Sequence, residues 1–129
     1  MYTDAERMDQ ERVATAALQG FFNITERWGL TAKQQRTLLG EPAETTFFKW
    51  KSEKNANRLD SGTLERISCI LGIHKALRIL LPTEHAAYEW VKKPNDAPLF
   101  RGETALSRML AGRVADLYEV RVYLDNELG

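Results

Sequence analysis

Apolar residues recur at intervals of three and four through most of this 129-residue chain. In the N-terminal region one such stripe consists of Val13, Ala17, Phe21, Ile24 and Trp28. These intervals place the side chains on one face of an α-helix. No segment shows the sustained alternation of apolar and polar residues, bounded by turn residues, that is typical of a half-buried strand. The sequence therefore predicts an all-α protein.

Hydroxyl residues and glycines mark the ends of the predicted helices. Thr3 and Thr31 each precede a Glu or Gln by three residues, which is the arrangement of a capping box at a helix start. Gly29 and Gly72 are each expected to end a helix, and Pro42 suits the first turn of one because its missing N–H has no intrahelical partner there. The predicted helices span about 4–27, 31–39, 42–52, 61–72, 75–81, 84–91, 104–110 and 114–124.

Prolines divide the predicted helices into two groups. Pro82 and the segment 92–98, which contains two further prolines, cannot continue as helix. Proline lacks a backbone donor and restricts the residue before it. We therefore expect an N-terminal part over residues 1–82 and a C-terminal part over residues 83–129.

Charge and composition limit the classes of partner. Eighteen Lys and Arg residues balance eighteen Asp and Glu residues, so any nucleic-acid binding depends on a local patch and not on the whole field of the protein. The single cysteine, Cys69, excludes an internal disulfide. No run reaches the roughly 18 apolar residues of a membrane span, and the N-terminus lacks the apolar core of a secretory signal. We expect a cytoplasmic protein without a membrane association.

A candidate DNA-reading element lies in segment 31–51, where a glycine-containing turn joins two short predicted helices. This spacing is typical of a helix-turn-helix, in which the start of the second helix reaches base edges in the major groove. Residues 47–58 carry four basic side chains and one acidic side chain, a local net charge of +3. The predicted DNA-binding residues are Thr45, Thr46, Lys49, Lys51, Lys54 and Arg58. The alternative is an ordinary helical hairpin with a solvated basic face.

No pattern of catalytic or metal-ligating residues is present. The two histidines, His74 and His85, are eleven residues apart on different predicted helices, and Cys69 has no second cysteine. We expect His74 to be a helix-start or packing residue and Cys69 to be a small buried side chain. Asp116 and Glu119 stand near arginines and are expected to be ion-paired surface residues. The sequence therefore predicts no enzyme, no metal and no cofactor.

The last third of the chain contains a characteristic order of residues. Trp90 is followed by Pro94-Asn95, then by Phe-Arg-Gly at 100–102, a Leu-containing helix, a glycine and a final Val- and Leu-rich helix. This order resembles the C-terminal toxin-binding domain of the Xre/MbcA/ParS antitoxin family. The segment 105–121, ALSRMLAGRVADLYEVR, is most similar to the branch encoded beside RES-domain toxins. The preceding helices resemble the family's Xre-like N-terminal domain more loosely.

The resemblance implies a function in a type II toxin–antitoxin system. It implies an antitoxin that covers the active-site cleft of a cognate RES-domain toxin and represses its own operon. RES-domain toxins degrade NAD, so NAD would be the substrate of the toxin and not a cofactor of this chain. The implied partners are the toxin and operator DNA, with a homodimer that forms a higher-order complex with the toxin.

The residue chemistry of the C-terminal part fits a protein interface. Arg and Tyr are enriched among the anchor residues of such interfaces. The predicted toxin-binding residues are Phe100, Arg101, Arg108, Arg113, Tyr118, Arg121 and Tyr123. The alternative is that the leucines and valines of these helices pack inward and the arginines only solvate the outside.

Two other functions are compatible with the sequence. One is a dimeric helix-turn-helix regulator with an unknown protein partner, and the other is a small helical enzyme, for which no site is visible. Phe21, Phe22 and Trp28 give the first helix apolar surface on more than one side. That surface has two interpretations, a contribution to a dimer contact or a wider stripe facing the core.

Overall fold

The structure, a computed structural model, describes residues 2–129. Over these residues the chain forms seven α-helices and no β-strand, so the all-α prediction is confirmed. None of these helices combines the length and the apolar character that a membrane crossing requires. The helices are α1 (Asp4–Arg27), α2 (Ala32–Leu38), α3 (Glu44–Glu53), α4 (Ser61–Leu80), α5 (Glu84–Trp90), α6 (Ala105–Met109) and α7 (Val114–Glu127).

The residues predicted to cap the first two helices do so. At the start of α1, the backbone N–H of Glu6 donates to the hydroxyl of Thr3 at 3.1 Å. At the start of α2, the N–H of Gln34 donates to Thr31 Oγ1 at 3.1 Å, and the N–H of Thr31 donates to the Gln34 side chain at 2.9 Å. This exchange is the predicted capping box. Gly29 follows α1 with a left-handed φ of 73°, as expected for the residue that ends the helix.

The prediction that Gly72 ends a helix is wrong. α4 runs without interruption from Ser61 to Leu80 and joins the helices predicted over 61–72 and 75–81. A Cβ atom at Gly72 would lie 2.5 Å from Nε of Arg121 in α7. The glycine therefore permits a close approach between two helices, and the helix tolerates it at a modest cost in backbone entropy.

Pro42 also lies outside the helix to which it was assigned. α3 begins at Glu44, with Ala43 as its N-cap. Gly40 and Glu41 both adopt left-handed conformations, with φ of 88° and 58°, so the turn after α2 is longer than predicted. The carbonyl of Pro42 accepts a hydrogen bond from Arg36 Nε at 2.7 Å, which ties this turn to α2.

The buried face of α1 differs from the predicted stripe. Val13 is 54% exposed, and almost all residues of the first turns of α1 are exposed. Phe21, Phe22 and Trp28 are fully buried. The wider core stripe is therefore the correct interpretation of these three residues, and their assignment to a dimer surface is wrong.

α4 is the helix that connects the two halves of the molecule. It packs against both α1 and α7. Phe21 of α1, Ile70 and Ile73 of α4 and Leu117 of α7 are fully buried members of one hydrophobic core. The two parts predicted from the prolines share this core. The division at residue 82 stays a prediction.

Candidate functional site

The exposed face of α3 and the loop after it form one shallow surface depression. Two asparagines of this loop, Asn55 and Asn57, line it and were not singled out from the sequence, although Asn side chains are common readers of adenine edges. Their position between Lys54 and Arg58 is the sequence signal that could have identified them. Four of the six predicted DNA-binding residues also line the depression: Thr45, Thr46, Lys49 and Arg58.

The other two predicted DNA-binding residues contact the interior of the protein. Lys51 Nζ donates to Gln35 Oε1 at 2.6 Å, stands 3.5 Å from a Glu26 carboxylate oxygen and lies 5.5 Å from the centroid of the Phe22 ring. Lys54 Nζ donates to the carbonyl of Lys51 at 3.0 Å and lies 5.8 Å from the same centroid. Both ammonium groups are thus engaged at the junction of α1, α2 and α3.

A chain of hydrogen bonds runs through this junction. Gln35 is fully buried, and its side-chain amide donates to Thr25 Oγ1 at 3.0 Å. The Thr25 hydroxyl in turn donates to the carbonyl of Phe21 at 2.8 Å. With the bond from Lys51, the chain connects α3 through α2 to α1. Satisfied polar networks of this kind specify one arrangement of the helices that they join.

Two of the predicted toxin-binding residues belong to an aromatic cluster. Phe100 is 3% exposed, and its ring centroid lies 5.8 Å from that of Trp90 and 5.2 Å from that of Tyr123. The Phe100 ring packs edge to face against both neighbours, a favourable geometry for aromatic pairs. Phe100 therefore anchors the loop that precedes α6, and Tyr123 is half-buried beneath it.

The loop anchored by Phe100 presents Arg101 to solvent. Arg101 is exposed and has a left-handed φ of 53°, which is uncommon for a residue with a side chain. The N–H of Gly102 donates to the carbonyl of Asn95 at 2.8 Å, and the N–H of Asn95 donates to the carbonyl of Glu103 at 3.0 Å. The Asn95 side chain also accepts from Ala97 at 2.9 Å. These bonds hold the backbone of the loop at Arg101 in a defined conformation.

Asp116 organises the turn between α6 and α7, and its predicted place on the surface is wrong because it is 1% exposed. Its carboxylate accepts from the backbone N–H of Arg113 at 3.3 Å and from the Arg113 guanidinium at 3.0 and 3.2 Å. These hydrogen bonds, outweighing the opposing effect of desolvation, hold the pKa of Asp116 below its ordinary value of 3.8. Arg108 lies 3.5 Å from the same carboxylate and also pairs with Glu119.

The remaining predicted toxin-binding residues differ in their contacts. Arg121 faces α4, where its guanidinium donates to the carbonyl of Ser68 at 3.2 Å. Arg108 and Arg113 share Asp116, while Tyr118 is 59% exposed on α7.

Arg66 of α4, which the sequence did not single out, connects the end of α2 with the turn between α6 and α7. Its guanidinium donates to the carbonyl of Gly112 in the α6–α7 turn at 2.9 Å and lies 3.5 Å from the carbonyl of Leu38 at the end of α2. Both acceptors are distant from Arg66 in sequence, so the spacing of residues around Arg66 could not have indicated this role.

The histidine and cysteine predictions concern packing. His74 lies inside α4, where its ring stacks on Tyr88 with centroids 5.9 Å apart, so its expected packing role is confirmed. Cys69 is 4% exposed, as predicted, and burial raises the pKa of its thiol. A raised pKa reduces the thiolate fraction and hence the reactivity. Over residues 2–129, no group of His, Cys, Asp and Glu side chains is arranged to hold a metal ion.

Comparison with known proteins agrees with the C-terminal resemblance. A family model described as the antitoxin Xre/MbcA/ParS C-terminal toxin-binding domain matches residues 76–129, from the last turns of α4 to the end of α7. "Uncharacterized protein y4oB" of Sinorhizobium fredii (strain NBRC 101917 / NGR234) is 50% identical over 121 residues, which cover 94% of this chain and 90% of that protein. No solved structure matches the chain. Residues 76–129 therefore match the C-terminal toxin-binding domain of the antitoxin Xre/MbcA/ParS family.

Proposed function

We propose that this chain neutralises a RES-domain toxin by binding over the toxin's active site. The observation that carries the proposal is the match of residues 76–129 to a toxin-binding domain. The segment 105–121 resembles the antitoxins encoded beside RES-domain toxins, and this resemblance is the reason for proposing a RES-domain toxin as the partner. NAD is then the substrate of the partner, and this chain contributes a surface and no chemistry of its own.

The C-terminal surface is suited to bind a partner without a large loss of conformational freedom. Arg101 is held by a hydrogen-bonded loop, and Arg113 is held by the buried Asp116. Preorganised side chains lose less entropy on binding than free ones do. Arg101 and Tyr118 supply an exposed cation and an exposed aromatic ring, the residue types that dominate protein interfaces.

We further propose that the chain binds operator DNA through α3 and represses its own operon. The support is the grouping of Thr45, Thr46, Lys49 and Arg58 around one exposed depression. Hydroxyl groups near the start of a helix and cations along its exposed face fit base and phosphate contacts, respectively.

The neutralisation proposal is tested with the purified product of the neighbouring gene, which the proposal expects to be a RES-domain toxin. That protein should consume NAD, and addition of this chain should reduce the rate in proportion to its amount until the two reach a fixed stoichiometric ratio. Inhibition that is absent at saturating amounts of this chain, with binding also absent, would overturn the proposal. Consumption of NAD by this chain alone would do the same.

Arg101 offers a sharp probe of the binding surface. Arg101→Glu should weaken binding to the RES-domain protein at least tenfold, because an exposed cation on a hydrogen-bonded loop is replaced by an anion. Arg12→Glu on α1 is the matched control, since the Arg12 side chain is 72% exposed and lies outside residues 76–129. Equal affinities for Arg101→Glu and the control, measured by calorimetry, would remove Arg101 from the interface.

The second candidate function is that of a dimeric transcriptional regulator with a different protein partner, and only the α3 depression favours it. The NAD-consumption assay distinguishes the two candidate functions. A regulator that is not an antitoxin would bind operator DNA and leave the NAD consumption of the neighbouring gene product unchanged.

A further inference from the structure

An apolar cleft opens between the end of α4 and the last turns of α7. Trp90 of α5 closes one side of it. It is lined mainly by apolar side chains: Leu77, Leu80, Leu81, Trp90, Tyr123 and Leu124. The only charged residue that lines it is Glu127, over the part of the chain that the structure describes.

Exposed apolar side chains stand at this end of the molecule. Ile79 is 61% exposed, Leu80 is 36% exposed and Leu128 is 41% exposed. These three, together with Tyr118, are the exposed large hydrophobic residues of segment 76–129. Of these residues only Leu80 also lines the cleft. An exposed apolar side chain that borders an open cleft marks an interaction site more often than an isolated exposed residue does.

The position of the cleft identifies its occupant. Every residue that lines it falls within residues 76–129, the segment whose family binds toxins. On the α7 side the cleft is bordered by the exposed carboxylate of Glu127, whereas the Asp125 carboxylate pairs with Arg121. An apolar centre with a charged rim is the usual composition of a protein interface, and a carboxylate at the rim favours a cation opposite.

We infer that this cleft receives an apolar side chain of the toxin, flanked on the toxin by lysine or arginine. The inference rests on the proposed function, since it assumes that residues 76–129 bind a toxin. It adds to the proposed function a second toxin-contact surface, separate from the exposed side chains of Arg101 and Tyr118. The binding energy is then concentrated at the apolar centre, and Glu127 contributes orientation and association rate.

The inference is tested by calorimetric titration of the purified RES-domain protein encoded beside this gene. The variants are Leu80→Lys and Glu127→Lys, both at residues that line the cleft, and each adds a cation opposite the cation inferred on the toxin. Leu80→Lys should raise the Kd at least tenfold, and Glu127→Lys should raise it several-fold. Met8→Lys is the control, because Met8 is 54% exposed on α1, outside the matched segment, and its Kd should stay within twofold of the parent's.

Circular dichroism and the Tm show which variants are folded. If Leu80→Lys does not fold, Glu127→Lys decides, since Glu127 lines the cleft and is exposed. Folded variants that bind with the parent's Kd would overturn the inference and leave the proposed function intact. A parent chain that does not bind the protein at all would overturn both. A parent that is dimeric and a Leu80→Lys variant that is folded and monomeric would assign the cleft to a second copy and overturn the inference.

Discussion

At the scale of single residues, the C-terminal surface depends on one buried carboxylate. Asp116 accepts hydrogen bonds from the backbone and the guanidinium of Arg113, and Arg108 stands 3.5 Å away. An unpaired charge at a buried position is strongly destabilising, so the two arginines are required by the carboxylate as much as by any partner. Charge reversal at Arg113 would therefore disturb folding as well as binding.

Asp116→Asn should lower the free energy of unfolding by about 1–3 kcal/mol at pH 7, the cost of losing a charged hydrogen-bond partner at a buried site. Hydrogen bonds from Arg113 lower the pKa of Asp116 in the folded protein. The carboxylate therefore stabilises the fold fully above its unfolded-state pKa, and this stabilisation is lost as the pH falls through the folded-state pKa. Urea unfolding of parent and variant from pH 7 down to about pH 2 should show the difference between them shrinking.

Asp125→Asn is the control for this experiment, because the Asp125 side chain is 53% exposed and its pair with Arg121 is long, at 3.9 Å. Its unfolding free energy should stay within about 0.5 kcal/mol of the parent's. A difference between parent and Asp116→Asn that persists unchanged at low pH would contradict the assigned role of the carboxylate.

Local chemistry was predictable for individual residues, and tertiary burial was not. The spacing of Arg113 and Asp116 correctly indicated an ion pair, because both residues lie within one helical turn. Burial of Asp116 depends on packing between α6 and α7. The charge of Lys51 indicated a phosphate ligand, whereas its ammonium bonds to Gln35, sixteen residues earlier in the chain.

At the scale of the helices, helix starts were predictable from nearby residues, whereas the helix end predicted at Gly72 was wrong because of a tertiary contact. Thr31 caps α2 through residues within four positions, so its sequence signal was complete. Gly72 has the residue type of a helix end, but the reason for the glycine is Arg121 on another helix. Its sequence neighbours carry no information about that contact.

The orientation of α3 depends on Lys51 and Gln35. If α3 reads DNA, Lys49 acts on phosphates directly, while Lys51 acts by holding the helix. Lys49→Ala should therefore weaken operator binding and reduce the slope of log affinity against log salt concentration by about 0.9, the value for one lost phosphate contact. Lys51→Met, which keeps the apolar part of the side chain, should weaken binding while leaving that slope unchanged.

Fluorescence anisotropy across a salt series measures both quantities. Lys33→Ala on α2 is the control, because Lys33 is exposed and lies outside the depression, and it should change neither affinity nor slope. Equal losses of slope in Lys49→Ala and Lys51→Met would show that Lys51 contacts phosphate as well.

At the scale of the whole molecule, one core supports both candidate surfaces. α4 contributes Ile70 and Ile73 to this core, and α7 contributes Leu117 and Val120. Arg66 adds a polar connection from α4 to the turn before α7. The toxin-binding segment thus starts within the last turns of the helix that also supports α1.

The shared core predicts that the C-terminal part does not fold alone. Without α4, residues 83–129 would expose the apolar face of α7, and 47 residues are close to the size at which a single core becomes insufficient. Circular dichroism of this fragment should show little helix and no cooperative thermal transition. The full chain should unfold in one transition, with far-ultraviolet and near-ultraviolet signals coincident. A cooperatively folded 83–129 fragment would instead establish an independent domain after residue 82, and the contacts between α4 and α7 would then be an interface between two domains.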